Sequence, residues 1–236
     1  MIETAKVATR KGTIWTDFLG LIFPECCLGC QRGLLEGERR LCTRCLSELP
    51  MVDIRDTALV DRMMAVPGLH EGYALLHFHH RGIVRNLLHE LKYGYHPEIG
   101  VQMGILLGRQ LIQNLDAEAC DMIVPVPLHR SRLRRRGYNQ SACFAIGLSQ
   151  VLGIPVRQDV LYRKRATATQ TRKTRFERWL NVQHAFESTK PEELRGKTVM
   201  LTDDVVTTGS TLEACAGVLV RHGVERVVIA CMATAR

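Results

Sequence analysis

A chain of 236 residues is long enough for one full α/β domain and a small appendage. Its 46% hydrophobic and 24% charged residues are ordinary for a globular protein, and no apolar run approaches the ~18 residues of a membrane helix, which excludes a helical membrane span. The formal charge of +8 is unevenly spread: residues 121–180 hold thirteen Lys/Arg against three acidic residues, and a local excess of this kind suits polyanionic partners, although an arginine-rich face can also simply be solvated.

At the N-terminus, Lys6, Arg10 and Lys11 precede an apolar stretch from Ile14 to Pro24. Asp17 interrupts it and no small-residue cleavage site follows, so residues 1–20 are expected to form an amphipathic helix, not a signal peptide, and the chain to be cytoplasmic. In a reducing compartment, clustered cysteines more often hold metal than form disulfides. Residues 21–50 carry two Cys-x-x-Cys knuckles, and Cys27, Cys30, Cys42 and Cys45 supply the four soft thiolates that a closed, structural zinc site prefers. Cys26 is an alternative ligand to Cys27, with the x-x spacing favouring Cys27. Cys120, Cys143, Cys215 and Cys231 lie in apolar segments and read as small core residues. Residues 51–71 are expected as a linker and residues 72–236 as the main domain.

The main domain opens with an apolar strand at Tyr73–Leu76 and a helix at Ile83–Leu91, whose apolar residues recur at helical spacing. His77, His79 and His80 between them have no companion ligands at metal spacing and read as structural or surface residues. A second helix is expected over Ile99–Ile112, a buried strand over Asp121–Pro127, and a helix over Asn139–Leu152. A strand at Val156–Leu161 and a long basic surface loop at Arg163–Asn181 follow. Strand Thr198–Leu201, a turn, helix Thr211–Arg221 and strand Val224–Cys231 complete an alternating β–α series. Such alternation implies a mostly parallel sheet with helices on both faces and ligands at the C-terminal strand ends.

One turn in that series carries recognisable chemistry. An apolar strand, Val199 to Thr202, delivers Asp203 and Asp204 towards a turn holding Thr207, Thr208, Gly209, Ser210 and Thr211, with a helix directly behind it. Backbone N–H groups and the helix dipole favour a phosphate there, Gly209 allows close backbone approach, and the hydroxyls add donors. The adjacent carboxylates can accept from two neighbouring ribose hydroxyls and support a magnesium ion through oxygen ligands. An isolated Asp-Asp pair would more often be an ordinary strand-to-turn feature; here strand, acidic pair and glycine-containing loop coincide.

These thirteen residues, Val199 to Thr211, resemble the ribose-phosphate signature of type I phosphoribosyltransferases. Leu91-Lys92-Tyr93, Val124 to Leu128, Arg135 to Gln140, Thr169-Gln170 to Arg178, Asn181 and Phe186, with the double Cys-x-x-Cys, resemble the ComF family of competence proteins over nearly the whole chain. The resemblance implies an α/β type I phosphoribosyltransferase fold behind a small four-cysteine zinc ribbon. It also implies 5-phosphoribosyl 1-pyrophosphate as ligand, a pyrophosphate-contacting loop at Val126, Pro127 and on to Arg130, and a closing loop at about Arg163–Arg178 that includes Arg175. Arginine forks match phosphate oxygens, so Arg136, beside the proposed pyrophosphate loop, and Lys92 are further candidate contacts. Tyr138 and Trp179 offer stacking faces for single strands, although packing is the plainer role for both.

The same resemblance implies a part in the uptake of single-stranded DNA during natural transformation, beside an uptake channel and a translocating helicase. Two other readings stay open from the residues. One is an active transferase on an unidentified acceptor, for which no acceptor pocket is legible. The other is a zinc-ribbon adaptor that merely retains the phosphate loop.

Overall fold

The computed structural model describes residues 25–54, 57–79, 81–112, 120–164 and 185–235. The expected helix at 1–20 and most of the expected loop at 163–181, including Arg175 and Trp179, lie outside them. The chain divides after Glu48 into two units.

In the first unit, Cys26 and Gly33 form an antiparallel bridge, Arg39 and Leu41 another, and a short helix α1 (Thr43–Ser47) follows. Glu38 organises the turn between the knuckles: its carboxylate accepts from the Leu35 and Thr43 backbone N–H groups at 2.8 and 2.7 Å. Cys42 is both knuckle and N-cap, its sulfur accepting from the Cys45 N–H at 3.4 Å.

The second unit runs α2 (Ala58–Arg62), β1 (Leu69–Phe78), α3 (Ile83–Tyr93), α4 (Pro97–Ile112), β2 (Met122–Pro125), α5 (Arg130–Arg136), α6 (Gln140–Leu152), β3 (Leu161–Arg163), β4 (Phe186–Ser188), β5 (Thr198–Val206), α7 (Ser210–Arg221) and β6 (Arg226–Ala235). Four strands form a parallel sheet in the order β1-β6-β5-β2. Their apolar runs are continuous because both faces are covered. On one side, Val199, Leu201, Val227, Ile229 and Cys231 meet Leu212, Cys215 and Leu219 of α7 and Leu59 and Met63 of the segment before β1. On the other, α4 lies on β1 and β6 while α6 lies on β2 and β5. Helices α4 and α6 approach so closely that a Cβ at Gly104 would stand 2.1 Å from the Phe144 carbonyl oxygen, and one at Gly147 would stand 2.1 Å from that of Val101.

The expected α/β architecture is therefore observed, with differences in detail. Residues 51–71, read as a linker, hold α2 and supply Leu59, Met63 and Val66 to the core. Val156 makes only an isolated parallel bridge to Ile123, and the strand expected at Val156–Leu161 instead begins at Leu161 and forms an antiparallel hairpin with β4. Pro125 stays inside the ladder opposite Thr202, tolerated where the partner on its other side has already ended. Strand β5 continues to Val206, paired with β6 as far as Thr234, so Asp203 and Asp204 sit on strand and not on a turn. Cys143, Cys215 and Cys231 are buried and Cys120 half-buried, in keeping with their reading as core residues.

Candidate functional site

Because successive strand residues face opposite ways, the two aspartates at the end of β5 meet different neighbours. Asp203 Oδ1 accepts from the Ser141 hydroxyl at 2.9 Å and from the Asp204 backbone N–H at 2.8 Å. Asp204 turns towards α3 and pairs with Lys92, Nζ to Oδ2 2.9 Å, both side chains largely buried. Burial and then the charge of Asp204 push the Asp203 carboxyl up to about 7, well above the ordinary carboxylate range.

Beyond Val206 the chain enters the loop 207–209 and then α7. Gly209, at φ 79°, takes the left-handed N-cap position, where no side chain caps the helix. A Cβ on it would stand 2.2 Å from Met63 Sδ, so the backbone calls for glycine and the end of the Met63 side chain would have to shift for any other residue. Asp203, Thr207, Thr208, Gly209, Ser210 and Thr211 all line one small pocket of about 40 Å³. The Thr208 and Ser210 hydroxyls lie 3.1 Å apart beside it. The arrangement offers the Asp203 carboxylate, hydroxyls and a helix start around one point, a place able to receive a phosphorylated polyol.

Other expected site residues are placed differently. Val126 is a buried scaffold residue: its N–H donates to the Thr202 carbonyl at 2.9 Å and its own carbonyl accepts from Asn139 Nδ2 at 3.0 Å. Pro127 and Arg130 line a separate pocket of about 850 Å³ beside β2. Arg136 donates to Gln140 Oε1 at 2.8 Å, and its guanidinium lies over the Tyr93 ring at 5.5 Å, which fixes the start of α6. Tyr138 donates to the Leu91 carbonyl at 2.6 Å, tying the same helix start to α3, and burial pushes its phenol up to about 12. Ser141 and Met63, which hold Asp203 and Gly209, carry no motif spacing and were not legible in the sequence.

In the first unit, the sulfurs of Cys27, Cys30, Cys42 and Cys45 lie within 4.8 Å of one another, with Cys30 and Cys42 at 3.8 Å. Tetrahedral zinc with Zn–S bonds of ~2.3 Å requires S···S separations of about 3.8 Å, so the cluster fits such an ion. Cys26 is exposed and outside the cluster, which resolves the sequence ambiguity in favour of Cys27. Burial opposes ionisation of Cys27, but backbone donors from Cys42, Cys30 and Gly29 outweigh it and bring the thiol down to about 6. Among the described residues no other cluster of three or more His, Cys, Asp or Glu is placed to hold a metal, the two described histidines of the 77–80 cluster included.

Residues 139–236 match the phosphoribosyl transferase domain. DNA utilization protein YhgH of Salmonella typhimurium is 35% identical over 149 residues, covering 62% of this chain and 65% of that protein. Competence protein F of Haemophilus influenzae is 38% identical over 108 residues, covering 45% of this chain and 47% of that protein. The chain thus spans slightly less than two thirds of the length of the YhgH protein and under half of that of competence protein F. A purine phosphoribosyltransferase from Pyrococcus horikoshii overlaps 57% of this chain and 73% of its own, with 24% identity and a TM-score of 0.36. The resemblance to the ComF family is borne out by relatives, domain and cysteine cluster together. No helix among the described residues is long and apolar enough to cross a membrane.

Proposed function

We propose, from the premise that this is a phosphoribosyl transferase-domain protein related to competence and DNA-utilization proteins, that it binds 5-phosphoribosyl 1-pyrophosphate with magnesium and acts in the uptake of single-stranded DNA. The observation that carries the ligand is Asp203 lining one small pocket with the Thr207–Thr211 loop, with Gly209 held left-handed at the start of α7 and Asp204 next to it on the strand end. The 5′-phosphate would take the loop and helix start, and the ribose hydroxyls the two carboxylates. Lys92, already drawn to Asp204, supports the reading of this corner as one that attracts positive charge, and Asp203 and Asp204 are the residues that would hold a magnesium ion. Such an ion would supply charge neutralisation for the pyrophosphate.

The four thiols of Cys27, Cys30, Cys42 and Cys45 hold zinc in this reading, as a closed site that stabilises its unit and takes no part in chemistry. The protein is cytoplasmic, and an uptake channel and a helicase are its natural protein partners. The role is tested in the native host: a deletion strain carrying Asp203→Asn/Asp204→Asn should remain defective in transformation although the protein accumulates. Full restoration would favour an adaptor that does not use its phosphoribosyl site.

A further inference from the structure

The two aspartates at the end of β5 are not equally open. Asp203 lines the small pocket with Thr207–Thr211, whereas Asp204 does not. Asp204 instead meets Lys92, whose ammonium stands 2.9 Å from Oδ2, with the lysine side chain 21% and the aspartate side chain 12% exposed. Those exposures separate the pair from an ordinary surface one. Exposed pairs are weakened by water and salt, while neither member of a pair this far withdrawn from water can leave without stranding the other's charge.

Lys92 is also aimed. It lies in the last turn of α3, and the residues on either side of it are tied down: the Leu91 carbonyl accepts from the Tyr138 hydroxyl at 2.6 Å and from Gln140 Nε2 at 3.5 Å, and the Arg136 guanidinium covers the Tyr93 ring. The same start of α6 holds the strand end that the lysine reaches. Ser141 donates to Asp203, and its carbonyl accepts from the Thr202 hydroxyl at 3.3 Å. One helix start therefore fixes both the base of the lysine and its target. A lysine serving only the helix dipole would extend into water beside the last carbonyls of α3, and this one crosses to a carboxylate on β5.

An ammonium on Oδ2 stands where a divalent cation would approach, since magnesium binds a carboxylate oxygen at ~2.0–2.1 Å. To take that oxygen, a free ion would have to shed water and leave the ammonium unpaired in a largely buried place. A pyrophosphate group changes the balance, because its oxygens offer the displaced ammonium a new partner. We infer that Lys92 is a tethered counter-ion that closes Asp204 to free divalent cations and passes to the pyrophosphate group when phosphoribosyl pyrophosphate and its metal enter together. Lys92 thereby makes metal and ligand reinforce each other's binding. This assignment rests on the phosphoribosyl pyrophosphate reading above, to which it adds an order of binding and the residue that sets it.

The test uses the full chain, with manganese as the probe of the magnesium position because its free ion is counted by electron paramagnetic resonance. Lys92→Met and Lys92→Gln should each bind a free manganese ion about 10-fold more tightly than the wild type, and Asp204→Asn added to Lys92→Met should abolish that gain. Manganese should also raise the melting temperature of both uncharged variants more than that of the wild type, and should fold a variant that is unfolded without it; failure of that rescue counts against the assignment. In titrations of phosphoribosyl pyrophosphate, the factor by which the metal raises its affinity should fall at least about 5-fold in Lys92→Met. The assignment is overturned if both uncharged variants bind free manganese no more tightly than the wild type, if the gain survives Asp204→Asn, or if the factor is unchanged. The free-ion comparison contains no phosphoribosyl pyrophosphate. A wild type that fails to bind that ligand would sink the ligand reading, while the free-ion result still decides whether Lys92 closes Asp204.

Discussion

Replacing Gly209 by alanine adds one methyl group at the most constrained point of the loop between β5 and α7. At φ 79° the left-handed backbone costs a non-glycine residue about 1–2 kcal/mol. The new Cβ would also stand 2.2 Å from Sδ and 2.9 Å from Cε of Met63, which is only 2% exposed, and forcing a methyl into such packing costs about 1–3 kcal/mol. Together these give a destabilisation of about 2–5 kcal/mol, a fall of roughly 4–20 °C in melting temperature at this size. Urea denaturation and calorimetry of Gly209→Ala, Met63→Ala and the double variant separate the two causes. Met63→Ala alone should cost about 2–5 kcal/mol, and the double variant should lose less than the two singles predict, because the clash is gone. The left-handed strain should remain. An alanine variant that melts with the wild type would refute this account of the loop, and full additivity would remove Met63 from it.

The pair Lys92–Asp204 should behave as a largely buried ion pair: Lys92→Met leaves a carboxylate uncompensated and should cost about 2–4 kcal/mol, more than Lys92→Met measured beside Asp204→Asn, as read from a double-mutant cycle. Asp203 has its folded pKa raised to about 7, so the native state keeps a proton that the unfolded chain has lost. Its contribution to stability is present at low pH and is lost as pH rises towards 7, and Asp203→Asn should flatten that fall in urea titrations between about pH 4 and pH 7. Metal analysis should find one zinc per chain, which Cys27→Ser or Cys42→Ser removes and Cys26→Ser retains; retention of full metal content by Cys27→Ser would contradict the assigned ligands.

Elements whose signal is local were legible in the sequence. Val84, Leu87, Leu88 and Leu91 mark α3 by spacing alone, and the continuous apolar runs around Val199 and Val227 mark central parallel strands. The Cys-x-x-Cys pairs and the acidic pair before Gly209 likewise carry their chemistry in short motifs. What was lost depends on distant partners. Strand β5 extends to Val206 because β6 offers a ladder as far as Thr234, which no reading of Asp203-Asp204 as turn residues could anticipate. The hairpin of β3 and β4 joins segments on either side of residues 165–184, and three-residue strands have too little pattern to declare themselves. Arg136 has the residue type of a phosphate contact, and its engagement with Tyr93 and Gln140 was not legible, because a guanidinium serves a ring face and an amide as readily as a phosphate. Ser141 has no motif; only the meeting of α6 with β5 gives its hydroxyl Asp203 to bond.

The central claim is that the end of β5 and the start of α7 form a phosphoribosyl pyrophosphate site. Isothermal titration of that ligand with magnesium into the wild type and into Asp203→Asn/Asp204→Asn tests it most directly. The account predicts a one-to-one isotherm for the wild type, and no measurable heat of binding for a double variant that remains folded. Equal binding by both proteins, or none by either, would contradict it.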